Sequence, residues 1–366
     1  MVMNNVLGII YIANDNNTMH PLTNHRCQSS IPFGSRYRMI DFVLSSMVNS
    51  NIQNVSIFTT LKNRSLIDHL GDGNDWDLDR KQDGLFIFPS DSSENSRDIT
   101  SFYSAMDYLD KSSQEYVLLC YDSLITNIDF RPLYKQHLKS GADVTIMYKD
   151  KERNNHLFRN LEIDDFHNIK NLQTKDSKFG SLDIMMLKKQ KFIELITNNR
   201  HIYRNFNDIL REQVNNPLNI KGFRYDGYVN KINTTKQYYD SNMSLLNPKV
   251  MKQLFKENNE IHTKLKDEPP AKFTSNSNVK NSLIANGCII DGEVINSILF
   301  RGVHVKKGAS IKNSIVMQKC IIGEFAQLDN MVLDKEVILL PYDKFQGSEQ
   351  SPKVIPKKSA VGTYVN

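Results

Sequence analysis

Over the first 150 positions, short unbroken apolar runs alternate with stretches in which apolar residues return every three or four places. VLGIIYIA (Val6 to Ala13) is continuous, partly β-branched and closed by the turn-rich NDNN, which predicts a buried strand. RMIDFVLSSMVNSNI places Ile40, Val43, Leu44, Met47 and Val48 on one helical face, and the strand-like VSIF follows. LKNRSLIDHLG sets Leu66, Ile67 and Leu70 at helix spacing with Gly71 as its C-cap. GLFIFP is a further strand, ended by Pro89, and ITSFYSAMDYL aligns Phe102, Ala105, Met106 and Leu109 as one helix. YVLLC (Tyr116 to Cys120) is a short strand running into Asp122; FRPLYKQHLKSG is a helix closing on Gly141, and ADVTIMYK returns to strand. This alternation predicts βαβ units around a mainly parallel sheet. Ligands of such sheets bind beyond the carboxyl ends of the strands, where Asp122 falls.

From about residue 275 the helical period disappears. Ser282-Leu283-Ile284 returns as Ser297-Ile298-Leu299, as Ser314-Ile315-Val316 and weakly as Asn330-Met331-Val332, at offsets of 15, 17 and 16 residues. Gly287, Gly292, Gly302, Gly308 and Gly323 fall in the gaps, where corners need unusual backbone angles. A unit this short buries its Val, Ile and Leu only by stacking on the next, so a short parallel β-helix is expected. A β-sandwich would need hairpin turns, and Asn286-Gly287 is the one Asn-Gly dipeptide in the region. A segment with one short helical pattern and then Pro269-Pro270 reads as the linker between the two textures.

Composition narrows the classes. The 366 residues are 40% apolar and 24% charged, an ordinary globular balance with room for two domains. A net charge of +5, dispersed along the chain, gives no footprint for nucleic acid. Val6 to Ala13 falls far short of the roughly 20 residues that span a bilayer and has no basic flank or cleavage site. Cys27, Cys120, Cys288 and Cys320 form no CxxC and read as buried small residues of a reducing cytoplasm. The nine histidines show no HExxH; His20 and His25 read as surface loop residues, and Trp76, the sole tryptophan, as a packing anchor.

Longer strings are more specific. PLTNHRCQSSIPFGSRYRMIDFVLSSMVNSNI (Pro21 to Ile52), GDGNDWDLDR (Gly71 to Arg80) and YYDSNMSLL (Tyr238 to Leu246) resemble the glucose-1-phosphate adenylyltransferases, or ADP-glucose pyrophosphorylases. With the C-terminal repeats the resemblance covers nearly the whole chain, and it is closest to the regulatory, GlgD-type subunit of bacterial glycogen synthesis. It implies an α/β fold: an N-terminal nucleotidyltransferase-like (Rossmann-like) mixed sheet with helices, plus a C-terminal left-handed parallel β-helix. The implied boundaries are 1–245 for a degenerate nucleotidyltransferase domain, 246–275 for the linker and 276–366 for the β-helix.

The family's reaction, ATP + glucose 1-phosphate → ADP-glucose + pyrophosphate, needs phosphate-binding backbone and cations, a divalent ion held by carboxylates, and a pocket for adenine. The GGxGTRLxPLT loop of catalytic members aligns with Ala13 to His20, which offers neither glycine nor arginine and sets Asp15 where phosphate would lie. The Lys-Pro of RAKPAVPFG becomes Gln28-Ser29, although Arg26 survives. The GTADA stretch falls on Arg97, Asp98, Ile99, Thr100 and Ser101, whose bulk should fill a nucleotide pocket. Asp122 lines up with the metal-binding aspartate, but counting back from Asn242-Met243 puts Lys231 at the second carboxylate, where an ion pair should replace the metal. On the sugar-phosphate side Lys175 takes the place of the glucose-1-phosphate lysine and Ser181 that of the serine in ASMGIY.

The resemblance therefore implies a regulatory, catalytically impaired subunit, with Lys175 and Ser181 as its substrate-binding residues and no catalytic or metal-binding residue. It implies a catalytic glucose-1-phosphate adenylyltransferase as partner in a hetero-oligomer, a tetramer assembled through the β-helix and sheet edges. Mg²⁺ would be used by that partner; this chain would bind no cofactor, only a sugar phosphate or anion, and neither nucleic acid nor membrane. Two alternatives stand beside it. One is a weakly active adenylyltransferase using Asp122, Lys175 and Ser181 with a swung-in carboxylate such as Asp226. The other is a hexapeptide acyltransferase using His304.

Overall fold

The computed structural model describes residues 3–13, 18–59, 61–89, 98–151, 158–214 and 217–361. Among them no helix is long and apolar enough to cross a membrane. They group into two compact units: Met1–Asn14, Ile40–Lys231 and Glu257–His262 in the first, and Asp15–Met39, Ile232–Lys256 and Thr263–Asn366 in the second.

The first unit is built on a nine-stranded mixed sheet. Its parallel half runs Tyr116–Tyr121, Val6–Tyr11, Asn54–Thr59, Gly84–Pro89, each strand coinciding with an apolar run. Val6–Tyr11 and Asn54–Thr59 are buried on both faces, because helices cover both sides of a sheet joined by crossovers. Phe179–Lys188 pairs antiparallel with Val144–Asp150 along one edge; along the other its later residues pair with Tyr116–Cys120 and its first three with Arg159–Leu161. The helices Met39–Asn49, Arg64–Leu70 and Arg131–Ser140 fall where the period placed them, the last two followed by Gly71 and Gly141 at φ 56° and 61°. The single helix read in ITSFYSAMDYL is two, Asp98–Ser104 and Met106–Lys111, interrupted at Ala105 (φ −101°, ψ 20°). Ile99, Phe102 and Leu109 all enter the core with Phe58, Leu119, Phe192 and Phe206, so the apolar face survives the break.

One irregularity positions the chemistry. Phe179–Ser181 pairs with Arg159–Leu161, whereas Ile184–Lys188 pairs with Tyr116–Cys120; the register against Val144–Asp150 slips between Ser181 and Met185. Asp183 sits in that bulge at φ 54°. Bulges commonly re-aim side chains beside functional sites.

The second unit contains the left-handed parallel β-helix, made of three parallel sheets of six, five and five short strands. Each coil turns at corners held by a residue of positive φ. One corner repeats Asn281, Asn296, Asn313 and Asn330 (φ 43° to 53°), and another repeats Gly287, Gly302, Lys319 and Glu336 (φ 60° to 75°). Asparagine recurs because its side chain tolerates this region and bonds along the stack, as Asn281 Nδ2 does to Asn296 Oδ1 at 2.8 Å. Two of the five gap glycines have a different role. Gly292 and Gly323 lack positive φ, but a Cβ there would lie 2.4 Å from the Ala309 carbonyl oxygen and 2.6 Å from the Leu340 carbonyl carbon.

The fourth repeat is also shifted by one residue from its sequence reading. Ile315 pairs with Val332 and Val316 with Leu333, so Ser314 stacks on Met331 at an offset of 17. Asn330 belongs with Asn313 at the corner instead. Next to the asparagines, serine hydroxyls form a second ladder. Ser314 Oγ donates to the Lys312 carbonyl (2.6 Å) and accepts from the Met331 N–H (3.1 Å). Ser314→Ala leaves that buried N–H without its acceptor and is expected to cost about 1–3 kcal/mol. Ser282→Ala, half-buried on the first coil, should cost less; comparing urea midpoints of the two variants checks the difference.

Candidate functional site

The motifs behind the resemblance are brought together mainly as structure. In the second unit Tyr238 Oη donates to the Pro32 carbonyl (2.6 Å), and Gly34 N–H donates to Asn242 Oδ1 (2.9 Å), so YYDSN packs on PFG. In the first unit Asp41, from the IDF string, meets His69 Nε2 at 2.6 Å, and the His69 ring packs edgewise on Trp76 at 5.6 Å. His20 and His25 are exposed. His304 lies in the short strand His304–Val305, between Ile289 and Ile321 in register.

The centre of charge in the first unit is Asp183, which sequence reading did not single out. Lys231 ends the strand Val229–Lys231, which pairs antiparallel with Leu124–Thr126 and sets Lys231 opposite Leu124, two residues past Asp122. Its Nζ lies 2.6 Å from Asp183 Oδ2, with side chains 13% and 4% exposed. Arg159, across the sheet from Ser181, brings Nε to 3.5 Å from Asp183 Oδ1. Burial alone pushes the Asp183 carboxyl up, but the Lys231 and Arg159 charges, with hydrogen bonds from Lys231 and Ser181, hold it below the usual carboxylate range. Lys231 does form an ion pair, but with Asp183 and not with Asp122, the carboxylate that the sequence set opposite it. Asp122 is buried nearby in sequence, its N–H donating to the Tyr11 carbonyl at 3.2 Å.

This corner does not fit a divalent ion. Magnesium needs converging oxygen ligands, and here an ammonium holds one oxygen of the central carboxylate and a guanidinium flanks the other. Among the described residues no three His, Cys, Asp or Glu side chains converge to hold a metal. Asp226, the alternative carboxylate, is exposed and held by Arg224 Nε at 3.0 Å.

Ser181 is buried, and its hydroxyl is used locally, accepting from the Asp183 N–H at 3.0 Å and facing Asp183 Oδ1 at 3.4 Å. Lys175 is exposed in the loop between the strands Ile169–Leu172 and Phe179–Lys188, and its carbonyl accepts from Asn160 Nδ2 at 3.0 Å. On the stretch aligned with GTADA, Arg97 lies outside the described residues, as does Asp15 of the phosphate-loop alignment. Ile99 is core, and Asp98 is buried, accepting from Tyr121 Oη (2.6 Å) and the Phe206 N–H (2.8 Å). Burial pushes the Asp98 carboxyl up to about 6, against the lowering effect of those two hydrogen bonds.

The surviving cation of the second unit is also committed. Arg26 Nη2 donates to both oxygens of Asp334 at 2.7 and 2.5 Å, with side chains 4% and 2% exposed. Neighbouring Gln28 donates its Nε2 to the Ile232 carbonyl. Both groups that matched phosphate-binding positions are thus hydrogen-bonded to protein.

Signals for the two missed carboxylates were present. Asp183 is the one charge in the otherwise apolar Leu182 to Leu187, at the position of the glycine in ASMGIY, which accords with its positive φ. Asp334 follows Leu333 as Ala285, Phe300 and Met317 follow their coils' strands, so a charge replaces a buried apolar stack.

A mixed sheet with this bulged strand, followed by hexapeptide coils, defines a protein of the nucleotidyl transferase class. Residues 16–179 match the nucleotidyl transferase family, and residues 269–346 match the GlmU-like C-terminal hexapeptide family. The chain is 36% identical to the glycogen biosynthesis protein GlgD of Bacillus subtilis (strain 168), with 100% of both chains covered. It is 37% identical to the protein of the same name from Geobacillus stearothermophilus, over 99% of each. To the glucose-1-phosphate adenylyltransferase of Bacillus mycoides (strain KBAB4) it is 27% identical, over 87% of this chain and 88% of that one. The chain belongs to the GlgD family of glycogen biosynthesis proteins.

Proposed function

We propose that this chain is a regulatory, catalytically impaired subunit of an ADP-glucose-forming glucose-1-phosphate adenylyltransferase in cytoplasmic glycogen biosynthesis. The observation that carries the reading is the Lys231–Asp183 pair, an ammonium standing where the family alignment sets a metal-binding carboxylate. A lysine there supplies countercharge without the Lewis acidity or the open coordination positions that nucleotidyl transfer draws from Mg²⁺. The catalytic homologue supplies the metal site and the chemistry, and the two assemble as a hetero-oligomer, a tetramer in the simplest arrangement. A subunit that prefers the active conformer of its partner raises the partner's apparent affinity without contributing a reacting group.

ADP-glucose formation from Mg²⁺, ATP and glucose 1-phosphate tests this, measured with the chain alone and after adding the catalytic homologue at equal molarity. The expected result is no turnover alone and a changed rate or affinity in the mixture. Turnover by the lone chain, abolished by Asp122→Asn, would instead establish an enzyme in its own right.

Within the same reading, Lys175 and Ser181 form a residual sugar-phosphate half-site. The exposed Lys175 ammonium supplies the charge, and Ser181 shapes its own strand through the hydrogen bond from the Asp183 N–H. Titration calorimetry of the chain with glucose 1-phosphate should show millimolar binding that Lys175→Ala removes. No heat, together with an unaltered complex in Lys175→Ala, would exclude the half-site.

A further inference from the structure

A cavity of about 360 Å³ lies in the first unit, away from the Lys231–Asp183 corner in sequence and chemistry. It opens between the end of helix Met39–Asn49 with its following turn and the segment around Trp76, and His262 closes one side. This size is at the small end of the ~300–1,000 Å³ typical of small-molecule sites.

We infer that this cavity binds a neutral, hydroxyl-rich ligand of sugar-ring size, a hexose or the terminal hexose of an oligosaccharide. Three observations lead there. Among the described residues the side-chain amides of Asn51 and Asn74, exposed, and Gln53, half-buried, all in the wall, are not engaged by protein and stand open to a ligand. Trp76, also in the wall and 1% exposed, keeps a buried indole N–H with no acceptor among the described residues, an arrangement that proteins usually avoid unless something else supplies the oxygen. The frame is preset, because Asn49 donates to the Glu260 carbonyl (2.8 Å) and its amide oxygen meets His262 Nε2 (3.0 Å).

The same wall selects the ligand class. Arg80, its one arginine, is spent on Asp77: Nε donates to the Asp77 carbonyl at 2.8 Å and Nη2 to the carboxylate. With Asp75 and Asp77 also lining the cavity, a phosphate would meet carboxylates rather than an unpaired cation. The Trp76 face is covered, so a planar base has no indole surface to stack on. Hydroxyl groups donate and accept at once and match a wall of amides and carboxylates.

Because Trp76 is the only tryptophan, its emission reports directly on the cavity. The full chain should be titrated with glucose, maltose and maltotriose, and separately with inorganic phosphate and AMP. A saturable change in Trp76 emission with a neutral sugar in the millimolar range is expected, with none from phosphate or AMP. Asn51→Ala and Gln53→Ala should each weaken the sugar by roughly tenfold at an unchanged melting temperature. Saturation-transfer NMR on the same sugars guards against binding that leaves the emission unchanged. Absence of both signals overturns the inference, as does sugar affinity that is the same in the Asn51→Ala/Gln53→Ala double variant. A saturable response to phosphate or AMP alone overturns the ligand class.

Discussion

Lys231→Met is expected to lower folding stability by about 3–5 kcal/mol, the cost of leaving one member of a buried ion pair behind. Asp183 is 4% exposed and would keep, among the described residues, Arg159 at 3.5 Å as countercharge. Asp183→Asn in the same chain should recover most of the loss, since it removes the stranded charge and asparagine tolerates the positive φ at this position. Urea unfolding of the two single variants and the double variant forms a cycle that isolates the coupling. Its pH dependence has a definite sign. The folded-state Asp183 carboxyl is held below its unfolded value, so its stabilisation is fully present above that value, about 4. It is lost as pH falls through the lower folded value. The gap between wild type and Lys231→Met should therefore narrow in acid, and equal deficits at pH 7 and well below 4 would contradict the assignment.

Arg26→Met should be similarly damaging, by about 3–5 kcal/mol. It strands Asp334, which is 2% exposed within the β-helix and close enough to the buried Tyr238 that its charge helps raise that phenol's pKa. Asp334→Leu alone does comparable harm from the other side, because Arg26 Nη1 is already buried with no partner among the described residues and Nη2 would then lose its bonds to Asp334. The double variant Arg26→Met/Asp334→Leu is expected to regain most or all of the wild-type stability. It restores the apolar stack of Ala285, Phe300 and Met317, and replacing a buried ion pair with well-packed apolar side chains is often neutral or favourable. Melting temperatures of the three variants decide it: a double variant no better than either single one would mean that the pair contributes more than its geometry implies.

Much of the architecture was legible in the chain. Continuous apolar runs marked the strands Val6–Tyr11 and Asn54–Thr59, covered on both faces, and the spacing of Ile40, Val43, Leu44 and Met47 set the buried face of one helix. The Asn-Ser steps of the repeats set both the corner conformation and the hydroxyl ladder. The one-residue error at the fourth repeat arose where serine became Met331, so that the nearest polar match was the corner Asn330. The division of ITSFYSAMDYL into two helices was not legible, because Ala105 preserves the apolar period across the break.

The candidate site divides along the same line. By itself the sequence determined which residues stand at the positions the resemblance assigns to nucleotidyl transfer: no glycine or arginine across Ala13 to His20, glutamine at 28 and lysine at 231. Identity and local order suffice for that, since a missing group is missing in any fold. Only the tertiary structure decided where the surviving charges are spent. Lys231 reaches Asp183, 48 residues away in the chain, and Arg26 reaches Asp334, 308 residues away. Charge pairing is set by distance and burial, both products of long-range packing: a strand bulge brings Asp183 under Lys231, and the stacking of one coil on another carries Asp334 to Arg26.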